Sequence, residues 1–150
     1  MSTEEILLRL GLATIAGVVL GVDRELRGIA AGIRTHALVA LSSALITVSA
    51  MMIHEDFASQ GQASGIDPLR VVQGLAQAVG FVAAGAIFFA KGEVHNLTSA
   101  ANIWLAAAVG IVAGAGQMML VVAGVAIGVT VLTLVRLIER VMPGNSKSSD

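Results

Sequence analysis

The chain has no cysteine and no tyrosine, a single tryptophan, two prolines, and charged residues at only 13% of its 150 positions. Without cysteine there are no disulfides, thiolate metal sites or cysteine nucleophiles. Soluble domains of this size are about one quarter charged, so so sparse a charge cannot cover a water-facing surface. The net charge of −1 gives no reason to expect a nucleic-acid partner. What is present is hydrophobic residues, at 56%, and 17 glycines.

No charge interrupts the stretch from Leu97 to Val135. As one straight helix it would extend roughly 58 Å, about twice the hydrocarbon thickness of a bilayer. It must therefore fold back, and Gly114-Ala115-Gly116-Gln117 near its middle supplies the turn. Three further apolar segments precede it. The expected architecture is an all-α, polytopic transmembrane bundle with spans near 5–22, 36–53, 70–90, 97–115 and 118–138.

The first segment is not read as a cleaved signal: Glu4 and Glu5 stand where a signal carries basic residues. Arg9, inside that span, is expected to snorkel to the headgroups. Arg24, Arg27 and Arg34 fall between spans one and two, Lys91 between three and four, and Arg136, Arg140 and Lys147 after span five. The positive-inside rule then puts the amino terminus outside and the carboxyl terminus in the cytoplasm. Residues 1–142 form the expected transmembrane domain and 143–150 a disordered cytoplasmic tail.

Small residues recur four apart: Ala13, Gly17 and Gly21; Ala106, Gly110 and Gly114; Gly124 and Gly128. Such rows let helix backbones approach closely in lipid. Ordinary packing within the chain explains any one of them, and a row left over would suit a partner subunit. A homodimer is the expectation.

Polar chemistry gathers at the cytoplasmic ends of the spans. Gly21-Val22-Asp23-Arg24-Glu25 closes span one and Ala31-Gly32-Ile33-Arg34-Thr35-His36 opens span two. Asp23, Arg24, Glu25, Arg34, Thr35 and His36 are the candidate functional cluster, against the plainer reading of solvated anchoring charges. A second cluster, Asn96, Thr98 and Ser99, opens span four. Capping of a helix N-terminus and reception of an anion explain it equally well. On the external side, Asp67 suits an N-cap before Pro68 and could pair with Arg70. Gln73 and Gln77 share a face of span three, expected to point into protein or a wet cavity, with Asn102 as a candidate partner.

These same patches resemble the MgtC/SapB family of bacterial inner-membrane proteins, from about Leu7 to Thr133. The family's Gly-x-Glu-Arg-Glu and Ala-Gly-x-Arg-Thr-His blocks stand here at Gly21–Glu25, with Asp23 for the first Glu, and at Ala31–His36. Its Asp-x-x-Arg corresponds to Asp67 and Arg70, and its Gly-Phe-x-Gly-Ala-Gly to Gly80–Gly85, with Ala83 as a departure. Its Gly-Leu-Thr-Thr-Ala-Ala-x-x-Trp corresponds to Asn96–Trp104, with Asn96 and Ser99 as departures. The resemblance implies a part in growth under low magnesium and, in pathogens, in survival within host cells and modulation of the ATP synthase. Many members carry a cytoplasmic carboxyl-terminal domain that this chain is expected to lack.

Two functions follow as expectations. The first is a regulatory protein that binds a membrane partner; the second is a small ion carrier or channel working as a homo-oligomer. An enzyme is not expected: there is no Walker A run and no His-Glu-x-x-His pair. No cofactor is expected, and the sequence does not define a metal site. The carboxylates lie only at span ends, where magnesium would want one or two of them with several waters.

Overall fold

In the computed structural model, which describes residues 1–61, 67–90 and 93–141, five helices are long and apolar enough to cross a membrane. They are α1 (Thr3–Leu26), α2 (Ile33–Ser59), α3 (Leu69–Ala86), α4 (Leu97–Gly114) and α5 (Met118–Val141). The expected all-helical bundle is what the chain forms. The third span differs from expectation. It stops at Ala86 and is followed by a small antiparallel hairpin, β1 (Phe88–Ala90) paired with β2 (Glu93–His95). Phe88, Phe89 and Ala90 extend the apolar run to Lys91, which is why hydropathy alone carries the helix too far. The expected tail from 143 lies outside the described residues.

Helix ends follow from local chemistry. The Ser2 hydroxyl accepts from Glu5 N at 3.2 Å and caps α1, with Glu4 and Glu5 facing the helix dipole. α1 closes with Gly28 at φ +64°, which lets Gly28 N reach Glu25 O (3.1 Å) and Ile29 N reach Arg24 O (3.0 Å). The same device ends α4: Gly116, at φ +78°, bonds Ala113 O, and Gln117 N bonds Val112 O at 2.9 Å. That is the fold-back expected at Gly114–Gln117.

The centre is built from α1, α2 and α4. A Cβ on Gly17 would lie 2.5 Å from His36 O, and one on Gly21 would lie 2.7 Å from Ile33 Cα. One on Gly110 would strike Ala40 O, and one on Gly114 would come 2.7 Å from Ala44 O. Between segments in lipid there is little hydrophobic drive, and such backbone approach is what supplies van der Waals contact. Ala13, Ala16, Leu20, Ala44, Ala106, Val109 and Ala113 are buried there. α3 attaches more lightly, through Val79 and Ala83 against Ala100, Ile103 and Ala107 of α4. α5 packs Gly124 toward Val109 and Gly128 toward Leu105 and Leu20. Its other face, including Met119, Val122, Ile127, Leu134 and Ile138, is exposed and apolar, as a lipid-facing surface should be. All three small-residue rows noted in the sequence are thus taken up within the chain.

Candidate functional site

The most polar part of the bundle is the end where α1 passes into α2. Gly21 brings the two helices so close that their connecting turn is short, and Ala31 enters the left-handed region at φ +62°. Gly32 precedes α2 and has no side chain to cap it. The Glu25 carboxylate does so instead, accepting from Ile33 N at 3.1 Å. A Cβ on Gly32 would collide with that carboxylate. Glycine is thus fixed at 32 by the acid at 25.

Arg24 is 1% exposed. It points inward, and its guanidinium donates to the Ser99 hydroxyl of α4. Ser99, fully buried, in turn donates to Ala30 O at 3.2 Å. One relay therefore ties α1, the α1–α2 turn and α4 together. A turn further in, Asn102 Nδ2 donates to Leu20 O at 3.0 Å. His36, also fully buried, uses Nδ1 against Gly32 O at 2.9 Å. Its Nε2 and the Asn102 Oδ1 make no hydrogen bond.

The six-residue cluster expected from the sequence is therefore divided. Arg24, Glu25 and His36 are bonded to this junction, and Ser99 from the second cluster joins them. Asp23 turns to α5, where Arg136 Nη1 lies 2.9 Å from Oδ1, while Arg27 sits 3.5 Å from Oδ2. Arg34 is exposed and Thr35 partly so. Among the described residues, no three His, Cys, Asp or Glu side chains converge as a metal site would require.

Asn96 precedes α4 with φ +65° and makes no side-chain cap; its amide instead donates to Ala86 O at 3.2 Å, where α3 ends. It thus stitches both sides of the β1–β2 hairpin. Asparagine is the residue other than glycine that best tolerates this conformation, which accounts for the departure from the family's glycine. Thr98 is exposed.

At the opposite end, Asp67 Oδ1 accepts from Leu69 N at 2.9 Å, and Arg70 N bonds Asp67 O at 3.1 Å. The Asp67 and Arg70 side chains are both exposed and form no ion pair with each other. Gln73 and Gln77 do not point into protein. They are exposed, and Asn102 is bonded elsewhere. Their helix turns Leu75, Val79 and Ala83 inward, and the glutamines fall on the opposite side.

The partners of Arg9 were a further arrangement that the sequence did not reveal. Its guanidinium donates to Gly114 O at 2.7 Å and pairs with Glu5. A cation at a helix C-terminus answers unpaired carbonyls and the dipole together. The available signal was its place in the first span, four residues after Glu5.

Residues 10–141 match the MgtC family. The chain belongs to the MgtC family. It is 38% identical over 122 residues to a protein of Escherichia coli K12 named "Putative magnesium transporter YhiD", covering 81% of this chain and 56% of that one. It is 37% identical over 113 residues to SapB of Bacillus subtilis, covering 75% and 48%. With MgtC of Brucella abortus strain 2308 it shares 35% over 104 residues, covering 69% and 40%. The chain spans about half the length of these relatives. No solved structure matches it. The MgtC family match together with five spanning helices makes it a multi-pass membrane protein of a bacterial family.

Proposed function

We propose that this MgtC-family chain is a regulator of growth under magnesium limitation, seated in the bacterial inner membrane with its amino terminus outside. In this reading it acts by binding another membrane protein and is not an enzyme. The observation that carries this is how the Arg24 end is used. Arg24 bonds Ser99, and Glu25, Ser99 and Asn102 each bond backbone. The glycines beside them hold α1, α2 and α4 at backbone contact. This supports a rigid scaffold better than a hydrated path. Arg34 and Thr35 remain at its surface, where a partner can reach them. The positive-inside rule supports a cytoplasmic position for that surface.

The test is growth of a strain lacking this protein, complemented by Arg34→Ala and Thr35→Ala at low magnesium. Folded, membrane-inserted variants that fail to restore growth, with normal growth at high magnesium, support the reading. Full complementation contradicts the placement of the site.

The alternative is an ion carrier or channel. It is favoured by the name of the E. coli K12 relative, which refers to magnesium transport. Flux measurements on the purified protein separate the two.

A further inference from the structure

The outward face of α3 holds what a lipid-facing surface should not. Arg70, Gln73, Gly74, Gln77, Phe81 and Ala84 are all exposed, on the side opposite the buried Leu75, Val79 and Ala83. At about 1.5 Å per residue, Gln77 stands roughly 12 Å into the helix, deep in the hydrocarbon of a ~30 Å core. Acyl chains offer no hydrogen bonds, so a carboxamide there lacks partners for both its donors and its acceptor. Two exposed hydroxyls in other spans are answered locally: Thr130 bonds Ala126 O at 2.7 Å, and Ser42 bonds Leu38 O, each in its own helix. The glutamines have no such bond, and the comparable exposed face of α5 is apolar but for two threonines, Thr130 and Thr133.

We infer that this face of α3 is where a second copy of the chain docks, α3 against α3, about a two-fold axis along the membrane normal. Three features favour a second copy over another occupant. A carboxamide both donates and accepts, so glutamines meeting across a two-fold axis satisfy each other. Gly74, Gly80 and Gly85 have nothing within 4 Å of where a Cβ would sit, leaving room for a backbone to approach. At the helix start, Asp67 and Arg70 are exposed and unpaired with each other. In a parallel pair, Arg70 of one copy lies beside Asp67 of the other, supplying the missing partner. The small-residue rows of α1, α4 and α5 are already used within the chain, whereas the glycines on α3 are not. The Arg24 end stays free for a different partner, and the inference does not depend on what that partner is.

The absence of cysteine gives a clean test. Single-cysteine variants Ala84→Cys and, as a lipid-facing control, Ile127→Cys are reconstituted as purified full chain in phosphatidylcholine vesicles and oxidised. Ala84→Cys is expected to give a disulfide-linked dimer and Ile127→Cys to stay monomeric. Adding Gln73→Leu and Gln77→Leu to Ala84→Cys, changes that suit lipid and spare the fold, is expected to abolish the dimer with no loss of helical circular dichroism. A monomeric Ala84→Cys, equal cross-linking of both variants, or a dimer indifferent to the glutamine changes would overturn the inference. So would cross-linking of Ala84→Cys to a different protein in native membranes with no dimer in the vesicles.

Discussion

The Arg9 guanidinium of α1 donates to the Gly114 carbonyl at 2.7 Å, where α4 ends. Only 11% of the Arg9 side chain is exposed, and a Cβ on the neighbouring Gly116 would lie 2.7 Å from Nη2. The positive charge thus closes the C-terminus of the central helix from a helix one hundred residues earlier in the chain. A largely buried hydrogen bond from a charged donor contributes about 1.5–3 kcal/mol. Arg9→Gln is therefore expected to lower the thermal unfolding midpoint in detergent, with Arg9→Lys recovering part of the loss. Equal midpoints for all three proteins would show that this cap is idle.

Glycine substitutions should divide by what a methyl group meets. Gly110→Ala drives a Cβ onto Ala40 O, backbone that cannot swing aside, whereas Gly11 has nothing within 4 Å. Overpacking of this kind costs about 1–3 kcal/mol. Gly110→Ala is expected to raise protease sensitivity at the α2–α4 contact, and Gly11→Ala to leave it unchanged. The contact would be misassigned if both variants resisted protease equally.

Asn96 carries φ +65° and an amide bonded to Ala86 O. A residue with an ordinary Cβ pays about 1–2 kcal/mol in the left-handed region. Asn96→Ala should lose both conformation and bond, Asn96→Gly the bond alone. The expected order of unfolding midpoints is wild type, Asn96→Gly, Asn96→Ala, and an Asn96→Ala midpoint at or above that of Asn96→Gly contradicts it.

Asp23 links α1 to α5 through Arg136, but both side chains are about one third exposed. Such pairs contribute only about 0–1 kcal/mol and are weakened by salt. Asp23→Asn should barely shift the unfolding midpoint, and the small shift should vanish at high ionic strength. A large, salt-independent loss would mean that Asp23 is a keystone of the fold. A folded Asp23→Asn protein that no longer supports growth at low magnesium would instead place Asp23 in the functional surface.

The spans were legible because hydropathy and length suffice for them, and the α4–α5 fold-back because Gly114–Gln117 interrupts an otherwise uncharged run. The end of α3 was not. Phe88 to Ala90 are as apolar as a helix, and their pairing with Glu93 to His95 is a tertiary choice. Close packing was foreseeable from glycines four apart, but which backbone each meets depends on how three helices assemble. In the polar cluster, spacing brought Asp23 to His36 to one end of the bundle. It could not say that Arg24 turns inward to Ser99 while Asp23 reaches α5, since consecutive helical residues point about 100° apart and their neighbours come from far along the chain. The orientation of Gln73 and Gln77 was hidden for the same reason: a shared face is visible in sequence, but what lies opposite it is not.

The claim that this bundle is a scaffold for a partner rather than a conduit is tested most directly by ion flux. Purified protein in proteoliposomes, shown by circular dichroism to be folded, is assayed for Mg²⁺, proton and monovalent-cation movement. An Asp23→Asn, Arg34→Ala double variant serves as the control. A scaffold gives flux no greater than in empty vesicles for both proteins. Flux through the wild type that the double variant abolishes would contradict it and make the Arg24 end the mouth of a pathway.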